Sequence, residues 1–233
     1  MLRPVTGADP AREATAAAAV ERIEPGMTIG LGSGRAVWRA IELIAERWPG
    51  GPPIRAAFAS DRTRELAAEA GIEAVELDGK LRLDIAIDGA DEIGPDLGLI
   101  KGGGAALLRE KIVIAAAERF LVVAEERKRV ERLGQTFRLP VEVVRFGWPD
   151  TRRRVLDLLP AADLRTGDDG EPVVTDEGHH LLDCDLPAGG GTAELAGALK
   201  ATIGVVEHGL FLGMADEDLL GRDDGTLSVL TRA

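Results

Sequence analysis

Four short apolar runs alternate with helical stretches along the first half of this chain, and that alternation constrains its fold more than any other feature. The runs lie at 28–31, 54–59, 83–87 and 120–124. Helical spacing intervenes at 37–45, where Val37, Ile41, Ile44 and Ala45 share a face, at 60–70, which Gly71 stops, and at 105–117. Arg55 and Asp84 near their starts aside, the runs are apolar on both faces, so both faces are expected to be buried. Strands of that kind belong to a parallel sheet covered by helices. A further helix is expected at 11–23, before Pro25-Gly26 breaks the chain.

After Gly134 the rhythm changes. Strands are expected at 139–144, 171–175 and 180–184, and helices at 151–159 and 192–200. That order predicts a small α+β domain of ferredoxin-like kind. Short strand-like runs between 209 and 230, separated by Gly turns, are expected to return to the first sheet. The expected fold class is α/β, a Rossmann-like parallel sheet with helices on both faces plus a smaller inserted α+β domain. The expected boundaries are 1–133 and 207–233 for the catalytic domain and 134–206 for the small one, a candidate oligomer contact.

Composition narrows the partners. The chain has 233 residues, 28 Lys and Arg against 40 Asp and Glu, and a formal net charge of −12. Such a surface repels nucleic acid and anionic membranes, so neither is an expected partner. With only 3% aromatics and no Tyr, base-stacking platforms are disfavoured too. The single cysteine, Cys184, rules out an internal disulfide and a Cys-based metal site, and His179, His180 and His208 lack metal-ligand spacing. The Ala-rich start is interrupted by Arg12, Glu13, Glu21 and Arg22, so it reads as a helix, not a signal peptide. No apolar run is long enough to span a bilayer. A cytoplasmic location is the resulting expectation.

Ligands of open parallel sheets bind beyond the carboxyl ends of the strands, so the loops there carry the candidate chemistry. Gly32-Ser33-Gly34 follows the first run and opens a helix. It reads either as an anion cradle of backbone N–H groups or as a tight strand-to-helix turn. Arg35 stands where a dinucleotide fingerprint needs its third Gly, and no Walker A loop is present. Asp88-Gly89-Ala90-Asp91-Glu92 follows the third run. A solvated acidic turn, a hard-cation site and a catalytic cluster are all compatible with it. Lys101-Gly102-Gly103-Gly104 leads into the next helix, placing a cation and close-approach backbone together. That arrangement favours an oxyanion site over a hinge. Glu110 lies in a helix that reads as apolar nearly all round. It serves equally as a base with a raised pKa or as an ion-pair partner of Arg109 or Lys111. Lys128, in the charged run 125–128, is either solvated or a phosphate partner.

At these residues the chain resembles the type A ribose-5-phosphate isomerases over almost its whole length. The matching stretches are 30–34, 59–63, 88–92, 99–111, 139–143, 146–148 and 204–211. The resemblance implies interconversion of ribose 5-phosphate and ribulose 5-phosphate with no metal or organic cofactor. It implies Glu110 as the base and Lys101 as the group stabilising the enediolate. It implies Asp88 and Asp91 as the aspartates that contact sugar hydroxyls and assist ring opening. Substrate contacts are implied at Ser33, Gly34, Arg35, Ala36, Gly89, Ala90, Gly102, Gly103, Gly104 and Lys128. A homodimer or homotetramer is implied as well. The chain departs from the family twice. Arg35-Ala36 replaces the usual Ser-Thr, and Arg127 replaces the Ser before the substrate lysine. The departures leave open an isomerase of the same fold acting on a different sugar phosphate, and the use of related folds as effector modules leaves open a non-catalytic sugar-phosphate sensor.

Overall fold

A computed structural model describes residues 9–232. Residues 1–8 and 233, the ends of the expected catalytic domain, lie outside them. In chain order the first elements are α1 (Pro10–Glu21), β1 (Thr28–Leu31), α2 (Arg35–Arg47), β2 (Arg55–Phe58), α3 (Asp61–Glu69), β3 (Glu73–Ala74) and β4 (Ile85–Asp88). Next come β5 (Glu92–Ile93), β6 (Leu99–Ile100), α4 (Leu107–Ala115), β7 (Phe120–Glu125) and a 3₁₀ turn at Glu126–Lys128. The remainder is β8 (Leu139–Val143), α5 (Trp148–Val155), β9 (Ala161–Leu164), β10 (His180–Asp185), α6 (Ala193–Lys200), β11 (Val205–His208), β12 (Leu210–Phe211), β13 (Glu217–Gly221) and β14 (Leu227–Thr231).

The chain divides into two compact units. The first holds the described residues through Ala90, Arg109–Lys128 and those from Met214 onward. The second holds Asp91–Leu108 and Arg129–Gly213. This partition differs from the expected boundaries because β5 and β6 pair with β12 in a three-stranded sheet of their own. Two-residue strands of this kind leave no periodic signature in a sequence.

In the first unit seven strands form one sheet in the order β14-β13-β7-β4-β1-β2-β3. All its pairs are parallel except β13 with β14; the C-terminal runs return to this sheet as expected, and the structure makes their pairing with one another antiparallel. Ile29, Leu31, Ile85, Ile87, Leu121 and Val123 point to one face, where they pack with Ala19, Ile41, Ile44 and Leu66 of the helices. Val113 of α4 packs on the other face with Ala57, Ala59 and Leu83. The runs are apolar on both faces because both faces are covered.

The second unit contains a four-stranded antiparallel sheet in the order β11-β8-β10-β9, with α5 and α6 in the crossovers. This is the ferredoxin-like arrangement, with one correction. No strand forms at 171–175, where Pro172 and Val174 make only isolated bridges. The second strand is β9, registered against β10 from Leu164–Leu182 to Ala161–Asp185. A proline lacks the N–H that a ladder needs, whereas Ala161–Leu164 lacks the β-branched residues that would advertise a strand. Cys184 is buried on β10, and burial pushes its thiol up to about 12.

Thr15 couples helix to sheet in the first unit. Its hydroxyl is fully buried on α1 and donates to the carbonyl of Leu219 in β13. Thr15→Val keeps the shape and removes that hydrogen bond. The variant is expected to lose about 1–2 kcal/mol of stability in urea unfolding.

Candidate active site

The loop after β1 is built around a carboxylate. Asp88, at the end of the neighbouring β4, is 1% exposed. Its Oδ1 accepts the N–H of Gly89 at 2.7 Å and of Ser33 at 3.2 Å. A Cβ on Gly32 would lie 1.9 Å from the Asp88 Cγ, so only glycine fits there. The loop then enters α2 through Gly34, whose φ of 106° sets the turn and which provides no side-chain cap.

A chain of hydroxyls holds this loop from the β2 side. Thr63 Oγ1 donates to the Gly32 carbonyl at 2.8 Å, and Ser60 Oγ donates to Thr63 Oγ1 at 2.9 Å. The Ser60 proton is therefore committed, so Ser33 is the donor in its 3.1 Å contact with Ser60. The lone pairs of Ser33 remain as acceptors. Trp38 Nε1 donates to Thr63 Oγ1 as well, at 3.1 Å. Sequence reasoning placed no function on Ser60 or Thr63. Beyond their place in the matching stretch 59–63, their local signal is a helix cap, Ser60 accepting from the Thr63 N–H.

The two departures at arginine differ in environment. Arg35 is exposed at the first position of α2 and makes no ion pair among the described residues. Arg127 pairs with Asp9 and Asp223 at 3.1 Å each and with Glu125 at 3.4 Å. It is thus absorbed into a network of carboxylates. Lys128 donates to the Ala90 carbonyl at 2.6 Å and pairs with Glu125 at 3.2 Å. Burial works to raise the Glu125 carboxyl, but Lys128 and Arg127 outweigh it and hold it below its ordinary value. Ala36 is half-buried against the helical core.

In the second unit Asp91 faces the glycine loop. Its Oδ2 accepts the Gly103 N–H at 2.8 Å. Lys101 is 3% exposed, with its ammonium 5.6 Å from the ring centroid of Phe211. Gly102 has φ 115°, a conformation that turns the chain sharply after the lysine, and Gly103 and Gly104 are exposed. Glu92, the third carboxylate of the acidic stretch, is fully buried. It accepts N–H groups from Gly134, Thr136 and Phe137 and the Thr136 hydroxyl. The acidic stretch thus divides its labour, each carboxylate ordering a different loop. Among the described residues no group of three or more His, Cys, Asp or Glu is arranged to hold a metal ion.

Glu110 lies one turn into α4 and is 5% exposed. Arg109 beside it turns to Asp61 at 2.8 Å. The helix is not buried all round, since Ile112 is 51% exposed. Asp88, Ser33, Gly34, Arg35, Ala36, Gly89, Ala90, Glu110 and Lys128 belong to the first unit, and Asp91, Lys101 and Gly102–Gly104 to the second.

Residues 56–225 match the family of ribose 5-phosphate isomerase A (phosphoriboisomerase A). The chain is 45% identical over 223 residues to ribose-5-phosphate isomerase A of Synechococcus sp. (strain JA-3-3Ab), covering 95% of this chain and 97% of that protein. It is 46% identical over 231 residues to the protein of the same name in Caulobacter sp. (strain K31), covering 96% and 99%. The fold is similar to ribose 5-phosphate isomerase from Plasmodium falciparum, with a TM-score of 0.90, 31% identity and coverage of 96% and 99%. A D-ribose-5-phosphate isomerase solved in complex with phospho-erythronic acid aligns with a TM-score of 0.89, 34% identity and coverage of 95% and 97%.

One residue of the glycine loop is not glycine. Ala105 has φ 60° and closes a turn by donating its N–H to the Gly102 carbonyl at 3.1 Å. The helix expected from this residue consequently begins two positions later, at Leu107. A left-handed conformation strains any residue with a Cβ. Ala105→Gly is expected to stabilise the chain by about 1 kcal/mol, measured as a shift in the denaturation midpoint.

Proposed function

The chain belongs to the ribose-5-phosphate isomerase A family, and we propose that it interconverts ribose 5-phosphate and ribulose 5-phosphate by moving one proton between C2 and C1. The observation that carries this reading is the family match across residues 56–225. Within each unit, the placement of these residues at loop and helix starts supports the assignment of roles. Glu110 is the base. Its burial suits it to abstract the C2 proton of the open-chain aldose and return it to C1. The O2 proton moves to O1 during the same passage, so the aldehyde becomes a hydroxyl and C2 a ketone.

Between these steps the sugar is an enediolate, with negative charge on oxygen. Lys101 and the Gly104 N–H of the Gly102–Gly104 loop stabilise that charge, the Gly103 N–H being held by Asp91. Asp88 and Asp91 accept from sugar hydroxyls and assist ring opening, with Gly89 and Ala90 shaping the backbone beside them. The backbone N–H groups of Asp88's and Asp91's partners hold both carboxylates in place. A phosphorylated sugar acid joins a phosphate to a planar carboxylate, so the complex of the related isomerase with phospho-erythronic acid fits a site made for such an intermediate.

Ser33, with its proton donated to Ser60, accepts from a substrate hydroxyl. The uncapped start of α2 at Gly34 and Ala36, the Arg35 side chain and Lys128 take the phosphate. A single exposed guanidinium thus stands in for two absent hydroxyls. No metal or organic cofactor enters this scheme. We place the enzyme in the cytoplasm, in the non-oxidative pentose phosphate pathway, as a homodimer or homotetramer without nucleic-acid or membrane partners. Phe146, 95% exposed, and Ile203, 78% exposed, support a covered face on the second unit. Among the described residues no helix is long and apolar enough to cross a membrane. No feature of the fold or of the relatives favours another sugar phosphate or a sensor role.

Two variants test the assignment in a coupled assay on ribose 5-phosphate. Glu110→Gln is expected to lower kcat about a thousandfold while sugar-phosphate binding, followed by calorimetry, persists. Substantial turnover by that variant would remove Glu110 from its role. Arg35→Ala is expected to raise KM about tenfold with a smaller change in kcat. An unchanged KM would place Arg35 outside the phosphate site.

A further inference from the structure

The Gly102–Gly104 loop is held from behind by a side chain far away in sequence. Arg165 directly follows β9, and its side chain is 14% exposed. Its Nη1 donates to the Gly102 carbonyl at 2.8 Å and to the Gly103 carbonyl at 3.3 Å. Its Nε donates to Asp183 Oδ2 at 3.0 Å, and its Nη2 donates to Asp183 Oδ1. Asp183 is on β10, one strand over. One face of the guanidinium fork is thus fixed by a carboxylate, while the other grips two successive peptide carbonyls. We propose that Arg165, held by Asp183, is a positioning residue that sets the direction in which the glycine loop presents its N–H groups.

The reason lies in the peptide bond. In a trans peptide the carbonyl and the following N–H point in opposite directions within one plane. Turning the Gly102 carbonyl to Arg165 therefore turns the Gly103 N–H away from it, and that N–H meets Asp91. Turning the Gly103 carbonyl to Arg165 turns the Gly104 N–H to the same front side. That N–H has no acceptor among the described residues, and a Cβ at Gly104 would meet nothing within 4 Å. Glycine peptides rotate easily, so a loop of three glycines has no preference of its own for this orientation. The cationic fork supplies it for the Gly103–Gly104 peptide, and joins Asp91 and the Ala105 N–H in holding the Gly102–Gly103 peptide. A lysine cannot, because a single ammonium does not bridge two carbonyls while also chelating a carboxylate.

The inference rests on the reading of this loop as the cradle of the enediolate. Charge on the substrate oxygen appears only after proton abstraction, so a misdirected N–H penalises the transition state more than the ground state. Arg165 also lines, with Gly103, Thr136, Phe137, Arg138 and Asp183, a cleft of about 430 Å³. That cleft is large enough to admit a free guanidinium ion in place of a deleted side chain.

The test compares Arg165→Lys, Arg165→Ala and Asp183→Asn with the parent and with Glu110→Gln, on ribose 5-phosphate. Arg165→Lys is expected to lower kcat about ten- to a hundredfold with KM nearly unchanged. Asp183→Asn should move kcat in the same direction by less. Arg165→Ala should regain part of its kcat when millimolar guanidinium is added, whereas the parent gains nothing. A purely structural role would give neither the selective loss of kcat nor the rescue. The clamp is overturned if Glu110→Gln is inactive while Arg165→Lys keeps kcat within about twofold of the parent. Arg165→Ala showing no response to guanidinium overturns it as well. Turnover by Glu110→Gln would overturn the reading of the site on which the clamp rests.

Discussion

The close approach of the Asp88 carboxylate to Gly32 is the contact on which the first unit's loops depend. Parallel pairing sets β1 beside β4 with Leu31 opposite Ile87, so the ends of the two strands emerge side by side. β1 also lies beside β2, whose exit carries Ser60. The sheet order therefore brings three loops to one crevice, the place where open α/β sheets bind ligands. Within it the carboxylate takes the volume that a side chain at position 32 would fill. The hydroxyl chain through Ser60 and Thr63 then holds the same loop by its carbonyl. One loop is thus fixed by acceptors on one side and donors on the other.

Charge in this chain is best understood locally. The formal net charge is −12, yet the proposed substrate is an anion. The carboxylates of the acidic stretch are committed separately to backbone N–H groups in different loops. Cationic groups follow the same logic. Arg127 is neutralised by Asp9, Glu125 and Asp223, whereas Arg35 faces solvent. Two arginines at neighbouring loops thus have opposite availability, a distinction that depends on neighbours remote in sequence.

Those remote neighbours mark the limit of what the sequence discloses. The parallel sheet was legible because burial on both faces leaves short runs apolar on both faces, and 28–31 forms a strand over its full length. The small antiparallel sheet was legible in outline, but β9 was not. Ala161–Leu164 is half-exposed and has no β-branched residue, while 171–175 has the composition of a strand and no ladder. In the candidate site, Asp88, Lys101 and the glycine loop announce themselves by position at strand and helix ends. Ser60, Thr63, Glu92 and Arg165 do not. Arg165 acts on Gly102 across 63 positions and Glu92 on Thr136 across 44, and only the folded chain makes them neighbours.

Trp38 has a consequence of an optical kind. Its indole donates to Thr63, the hydroxyl that holds the Gly32 carbonyl. The chain has three tryptophans and no tyrosine, so its near-ultraviolet emission comes from indole alone. Trp48 ends α2 beneath the Arg47 guanidinium, and Trp148 belongs to the second unit, edge-on to His180. Of the three fluorophores, Trp38 alone is wired by a hydrogen bond to the brace of the Gly32–Gly34 loop. The indole of Trp38 is thus an intrinsic optical label one hydrogen bond from the residue that braces the Gly32–Gly34 loop, with no added dye.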